Sequence, residues 1–594
     1  MEVTRVFELF DRYQTLISDK PDALAGKVKG EWIKYSLKDF IRLSHELAAG
    51  FIEIGIKRGD RIGLIANNRP EWNIADFGSQ LAGAVLVPVY PTISDSDLKF
   101  ISEDADLSLV LLSSADLADK VKGATSELKN LKGIYSFDEV PGMKHWSELT
   151  QAGAKNPHTA SIDLNKKNTK PDDLLTLLYT SGTTGTPKGV MLTHGNLVSN
   201  FTSLCKLPPV DTSCRALSFL PLNHSYERLM VYIYLYNGVS IYYAESLETI
   251  GDNMREIKPH IFTCVPRLLE KVYDRIVNKG AELKGIKHKL FFWALSLGEK
   301  FDNRPGVNGW FYNRQLALAS KLIFSKWREA LGGNVRAAVS GGAALNPRLA
   351  RIFWAAGIPV LEGYGLTETS PVIAVNNFDP NSVRFGTVGP VIKGVEVKIA
   401  EDGEILCKGP NVMKGYYNRP EATAEVMDSE GWFHTGDIGI LEEGRFLKIT
   451  DRKKEIFKTS GGKYIAPQAL ENRLKTSRFI EQSMVIGENR KYAAALVVPA
   501  FAFIRDWASR KNMTLPAENA ALIEIPEIRS RIEAEVDAIN KELAQYERIK
   551  RIILLPTDWS VAGGELTPKL SLRRKIILKA NEDKIEKLYS NDND

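Results

Sequence analysis

Cysteine is scarce. Cys205, Cys214, Cys264 and Cys407 are the only four in 594 residues, and no two form a CxxC pair. That spacing argues against a disulfide framework or a zinc knuckle and fits a reducing compartment. No window reaches 18 consecutive apolar residues, so no helix is expected to cross a bilayer. The opening run, residues 1–14, interrupts its apolar positions with acidic ones and has no h-region, so a secretory leader is not expected. Internal repeats and low-complexity tracts are missing too, which removes solenoids and disordered arrays. Charge of one sign is also in short supply. A formal net charge of +5 is small for this length and argues neither for nor against nucleic acid, so none is assigned as a partner.

What remains is an ordinary globular composition, 44% hydrophobic and 25% charged, in a chain too long for one core. Short β-rich runs alternate with amphipathic helical stretches over the first three quarters. Candidate strands are Ala84–Tyr90, Leu107–Leu112, Leu174–Thr180, Val239–Tyr243, Pro259–Val265, Val335–Ser340 and Ile358–Glu362. Candidate helices include Leu37–Ile54, Gly195–Cys205, Leu247–Ile257, Pro266–Asn278 and Pro347–Ala356. That alternation predicts an α/β body with two largely parallel sheets. From about Gly386 short strands with glycine turns predict a small β subdomain. After Asp451–Lys454 a mixed segment has its own helices and strands. The expected domains are 1–450 and a smaller, mobile α+β domain at 455–594, joined by a hinge at 451–454.

The strongest signal is Thr180-Ser181-Gly182-Thr183-Thr184-Gly185-Thr186-Pro187-Lys188-Gly189, directly after an apolar strand. Its glycines permit tight turns and close backbone approach. Its hydroxyls and free N–H groups can surround phosphate oxygens, and Lys188 adds a cation. A standard P-loop needs GxxxxGK[ST]. Counting from Gly182, Pro187 stands at the second glycine and Gly189 at the Ser/Thr, so that rival fails.

This decapeptide resembles the phosphate loop of the adenylate-forming superfamily. Further segments similar to that family follow in order: Leu220–His224, Gly363–Glu368, Gly431–Asp437 and Asp451–Lys454. The runs LNHSYER, VPRLLEKVYDRI and EGYGLTETSP look most like long-chain fatty acyl-CoA synthetases. The resemblance implies a ligase of fatty acid metabolism with ATP, fatty acid and CoA as substrates. A carboxylate attacks the α-phosphate of ATP to give acyl-AMP and pyrophosphate, and the acyl group then passes to CoA. Because both reactants are anionic, the task is charge neutralisation and alignment. Mg2+ is expected, bound through one protein carboxylate and phosphate oxygens.

Residue by residue, the resemblance implies Glu368 as that carboxylate, with Thr180 beside it, against the plainer alternative of a solvated helix-start acid. Tyr364, between Gly363 and Gly365 and followed by Thr367, resembles the adenine-stacking aromatic; a packed core tyrosine is its rival. Gly341 and Gly342 resemble the loop flanking the same base. Asp437 resembles the ribose anchor, with Arg452 completing ribose and phosphate contacts. His224 is open between wall or gate of the acid pocket, general base and buried structural histidine. Adenylation removes no proton, so only the thiol step offers a base anything to do.

Toward the C-terminus Lys454 resembles the hinge of the family, and Gly461 and Gly462 resemble a pantetheine-channel loop, or are a simple β-turn. The family places a catalytic lysine near the end of the chain. Here Arg573 aligns with it, and Lys569 or Lys575 would serve under a shifted alignment. Arginine supplies the same charge in a different geometry. Finally, residues 284–328 hold nine Lys/Arg against two acids, interleaved with nine aromatics. Such a segment suits an anionic membrane surface, or is a helical cap packed on the body. The expected location is cytoplasmic, peripheral at the inner face of a membrane if that contact exists, with a homodimer as a candidate assembly. Two other functions stay open: a fatty acyl-AMP ligase loading a carrier-protein phosphopantetheine, and a catalytically silent acyl- or nucleotide-binding homologue.

Overall fold

The structure, a computed structural model, describes residues 2–181, 186–246, 248–511, 513–560, 563–566 and 572–590; the side chains of Ser181 and Arg510 also lie outside the described set. The chain divides into two compact units. One comprises residues 1–398, 406–435 and 441–447, and the other residues 399–405, 436–440 and 448–594.

The larger unit is built on two eight-stranded sheets. One runs Val372–Val375, Val360–Gly365, Ala337–Ser340, Ile261–Cys264, Arg215–Ser218, Ser240–Tyr243, Leu24–Val28, Glu31–Tyr35. The other runs Gly415–Tyr416, Pro187–Thr193, Leu174–Ser181, Val85–Val89, Arg61–Ile65, Leu107–Leu112, Ile134–Ser136, Lys144–His145. Interior pairs are parallel and antiparallel pairs sit toward the edges. Parallel neighbours require crossover helices on the sheet faces, so their strands are buried on both sides and read as continuous apolar runs. Val85–Val89 and Leu107–Leu112 are buried at every position for that reason. The seven strands expected from sequence all appear, each within three residues of its expected ends at either side.

The helices also start where their chemistry dictates. Leu37–Glu53 is capped by Ser36, whose hydroxyl accepts the Asp39 N–H while the Asp39 carboxylate accepts the Ser36 N–H. Pro70–Leu81, Pro266–Ala281 and Pro347–Ala355 open with proline, whose missing N–H costs nothing there. The helix expected from Leu247 begins at Ile250, and Leu247 itself lies outside the described residues.

A four-stranded sheet runs Glu396–Ile399, Glu404–Lys408, Phe433–Glu442, Phe446–Arg452. The smaller unit has a three-stranded sheet, Ile480–Ile486, Ala494–Pro499, Arg551–Leu554, antiparallel then parallel. Helices Pro467–Leu474 and Pro526–Asn540 help to enclose its core around Leu496, Val497 and Val498. This is the α/β class expected, with two sheets, a small β element and an α+β C-terminal part.

Candidate active site

The decapeptide joins two antiparallel strands whose pairing brings Thr180 opposite Lys188 and Ser181 opposite Pro187. Directly paired residues share a face, so the Thr180 and Lys188 side chains leave the hairpin on the same face. Gly182, Thr183, Thr184 and Gly185, with the Ser181 side chain, lie outside the described residues.

Beyond Lys188 the next strand is only Gly415–Tyr416, paired as Gly415 with Met191 and Tyr416 with Val190. The Tyr417 N–H donates to the Gly189 carbonyl at 2.7 Å and extends that pairing. Tyr416 is thereby fixed on the face that Lys188 occupies. The Lys188 ammonium lies 5.1 Å from the centre of its ring, and the Tyr416 hydroxyl donates to Glu368 Oε1 at 3.0 Å. Burial, then the Glu368 carboxylate, push the Tyr416 phenol well above its usual range, so it remains a proton donor. Glu368 sits in the single turn Thr367–Thr369, whose backbone is tied down where the Met413 N–H donates to the Glu368 carbonyl at 2.8 Å. Two residues singled out from sequence, Lys188 and Glu368, therefore meet on a third that was not.

Gly363, Tyr364 and Gly365 end the strand Val360–Gly365, which pairs antiparallel with Val372–Val375. At Gly365 a Cβ would stand 1.7 Å from the Pro371 carbonyl oxygen, so only glycine lets the chain turn back this closely. Thr367 is buried, its hydroxyl 3.5 Å from that of Ser225. His224 caps the helix Ser225–Tyr236, its Nδ1 accepting the Tyr226 N–H at 3.0 Å. The neutral ring therefore carries its proton on Nε2, and Nε2 cannot act as a base without giving up the cap. That geometry counts against a general base. Gly341 and Gly342 follow the strand Ala337–Ser340, with Gly342 at φ +82° and Gly341 backed by the Tyr226 ring. Glu362, just before Gly363, accepts the Leu345 N–H at 2.9 Å, and burial pushes its carboxyl up to about 8.

The remaining residues form a second group, in the smaller unit. Asp437 is 4% exposed and paired with Arg452 Nε at 3.2 Å. Neighbouring contacts hold the pair: the Gly436 N–H donates to Glu404 Oε1 at 2.9 Å, and Lys453 Nζ reaches Glu404 Oε2 at 2.7 Å. A buried carboxylate met by a guanidinium can still offer lone pairs to a vicinal diol. Lys454 is exposed. Gly461 and Gly462 make a tight turn in which the Gly462 N–H donates to the Thr459 carbonyl at 2.9 Å. Arg573 is exposed at the start of helix Arg574–Ala580, Lys575 is exposed one step on, and Lys569 lies outside the described residues. No group of three or more His, Cys, Asp or Glu that could hold a metal occurs among the described residues.

Sequence reasoning missed Tyr416. Its only local signal is the Gly415-Tyr416-Tyr417 run between Lys414 and Arg419, which carries no helical or strand period.

The pattern described as AMP-binding enzyme matches residues 14–417, and the AMP-binding enzyme C-terminal domain matches residues 454–593. The chain is 33% identical over 582 residues to the long-chain-fatty-acid–CoA ligase FadD15 of Mycobacterium bovis, covering 96% of this chain and 95% of that protein. It is 32% identical over 634 residues to long-chain-fatty-acid–CoA ligase 1 of Homo sapiens, covering 99% and 87% respectively. The solved adenylation domain of a carboxylate reductase from Mycobacterium chelonae shares the fold at a TM-score of 0.75 and 22% identity, covering 99% of this chain and 91% of that one.

Proposed function

The chain belongs to the AMP-binding enzyme family, and from that membership we propose that it activates a long-chain fatty acid with ATP and passes it to CoA. The fatty carboxylate attacks the α-phosphate, pyrophosphate leaves, and the CoA thiolate then displaces AMP from the acyl-adenylate. The observation that carries this reading is the meeting of Lys188 and Glu368 on the Tyr416 ring beside the Thr180–Lys188 pair. A fixed cation, a fixed anion and a hydroxyl on one face suit a polyphosphate with its counterion. Tyr364 is assigned to the adenine, Asp437 and Arg452 to the ribose, and His224 to the wall of the acid pocket. The reported relatives are named as CoA ligases, which favours CoA over a carrier protein as acceptor.

The donor set fits magnesium. Glu368 is one carboxylate with one oxygen engaged by Tyr416, as suits a cation that keeps waters and phosphate oxygens as its other ligands. Glu368 and Thr180 would hold it, and it would screen the charge between carboxylate and phosphates. The test is exchange of labelled pyrophosphate into ATP with magnesium and saturated acids from acetate upward. Exchange is expected with long acids, followed by thioester on adding CoA; no exchange with any acid sinks the reading.

We also propose contact with an anionic bilayer through residues 284–328. Among the described residues no helix is long and apolar enough to cross a membrane, so the contact would be peripheral. The segment forms helices Gly285–Glu299, Trp310–Ala319 and Ser325–Ala330. Phe291, Phe324 and Trp327 are buried and anchor it, as the helical-cap alternative requires. Yet Trp310 is 72% and Phe311 67% exposed, with Ile286, Leu318 and Leu322 also exposed. Both acids are already neutralised, Glu299 by Arg348 at 2.9 Å and Asp302 by Arg304 at 2.8 Å. The remaining surface charge is therefore cationic. The protein is expected to float with vesicles containing phosphatidylserine more than with neutral ones, and Trp310→Ser with Phe311→Ser should lower its recovery on the anionic vesicles. Equal recovery on both vesicles would leave the segment a structural cap.

A further inference from the structure

The helix Ser225–Tyr236 begins with three residues that each reach a different part of the site. Ser225 lies against the Thr367 hydroxyl at 3.5 Å. The Tyr226 hydroxyl donates to the Val339 carbonyl at 2.9 Å, two residues before Gly341. Glu227 accepts the Ser218 hydroxyl at 2.6 Å on Oε1 and the Thr263 hydroxyl on Oε2. Ser218, Thr263 and Val339 lie toward the carboxyl ends of three adjacent parallel strands. Open α/β sheets bind ligands at those ends.

Glu227 is the anomalous member of this set. It is 0% exposed, and among the described residues its hydrogen-bond partners are two neutral hydroxyls, with no cation. The next residue, Arg228, is committed elsewhere, to Asp76 at 2.6 Å and Thr176 at 2.8 Å. A carboxylate buried without a cation is costly, and an apolar side chain would pack the same space more cheaply. We propose that Glu227 is a positioning residue for the acid pocket, its carboxylate pinning the first turn of this helix, and with it His224, Ser225 and Tyr226, to the strand ends. The inference rests on the ligase reading given above.

Both hydroxyls donate only to the ionised carboxylate; a proton on Glu227 turns one of those bonds round. Burial pushes the Glu227 carboxyl up to about 7. The groups that face it are Tyr226 and Tyr234 of its own helix, Tyr243 of the strand Ser240–Tyr243 and Cys264 of the strand Ile261–Cys264. Burial holds the three tyrosines well above their usual range and pushes the Cys264 thiol up to about 12, so all four are neutral near pH 7. Elsewhere in the site Glu362 also changes charge over this range, its carboxyl pushed up to about 8 by burial.

Because the folded carboxyl is raised above its unfolded value, ionisation opposes folding. Stability is fully present below pH about 4.5, is lost as pH rises through about 7, and stays lower above that. Activity should run the other way, rising as Glu227 ionises. The test is Glu227→Gln in the full-length enzyme, scored by pyrophosphate exchange and by thermal unfolding from pH 5.5 to 9. At pH 8 the variant is expected to unfold no lower than wild type. Its kcat/KM for the fatty acid should drop roughly tenfold or more, with KM for ATP little changed. The wild-type decline below pH about 7 should flatten. An unchanged kcat/KM, or an acid limb that persists in the variant, overturns the proposal. A Tm loss that accompanies the activity loss overturns it too, since that is what a merely structural residue would give. Absence of exchange in the wild-type control would instead sink the ligase reading.

Discussion

Glu368→Gln should lower ATP–pyrophosphate exchange roughly a hundredfold, the scale of removing one preorganised electrostatic partner, while thermal unfolding stays at its wild-type temperature. The substitution keeps the volume, and the amide oxygen can still accept the Tyr416 hydroxyl that now reaches Oε1 at 3.0 Å. The backbone of the turn is held separately, through the Met413 N–H. Only the charge is lost. If that charge holds magnesium against the phosphates, the apparent magnesium requirement must rise with the loss, and excess magnesium should restore part of the rate. Tyr416→Phe is the informative companion. It leaves the ring beneath Lys188 and deletes only the bond to Glu368, so roughly a tenfold effect is expected, about 1.4 kcal/mol for one hydrogen bond to a charged group. Equal losses in the two variants, with no change in magnesium dependence, would mean that the carboxylate serves only to orient the tyrosine.

The contrast between Glu368 and Tyr416 also explains which parts of the site could be read from sequence. Local chemistry was legible. The hydroxyl- and glycine-rich decapeptide after an apolar strand and the continuous runs Val85–Val89 and Leu107–Leu112 follow from short-range rules. Tyr416 lies 48 residues from the carboxylate it touches, in a strand of two residues that exists only because its neighbour supplies the hydrogen bonds. No periodicity can announce such an element. The hairpin Leu24–Val28 and Glu31–Tyr35 was missed because the outer strand is mostly exposed and carries little apolar signal. Arg61–Ile65 was missed because Gly63 interrupts a run of only five, although its neighbours bury four of the five positions. In the sequence Glu227 is only one letter of the run LNHSYER; its burial without a cation among the described residues is a tertiary fact.

The arginine pair near the C-terminus shows the same limit from the other side, and the structure turns it into a decisive comparison. From sequence, Arg573 aligns with the cation that assists adenylation, Lys569 or Lys575 would serve under a shifted alignment, and nothing local sets Arg574 aside. The structure separates neighbours sharply. Arg574 is only 18% exposed at its side chain, with Nη2 on both oxygens of buried Glu471 at 2.7 and 2.8 Å and Nε on Glu455 at 3.1 Å. Arg573 is exposed, and its backbone N–H donates to the Glu565 carbonyl at 2.8 Å. Removing Arg574 leaves a buried carboxylate without its counterion, a change that costs about 3–5 kcal/mol. Arg574→Met should therefore lower the unfolding temperature of the C-terminal unit steeply. Arg573→Ala should leave unfolding unchanged and slow acyl-AMP formation roughly a hundredfold, about 2.7 kcal/mol of transition-state stabilisation. Thioester formation from supplied acyl-AMP should survive in that variant, because by then the phosphoryl charge has already been transferred. Lys575→Ala is the control. If it, and not Arg573→Ala, separates the two half-reactions, the adenylating cation lies two positions further along the chain; if Arg573→Ala slows both half-reactions equally, the residue does not serve adenylation in particular.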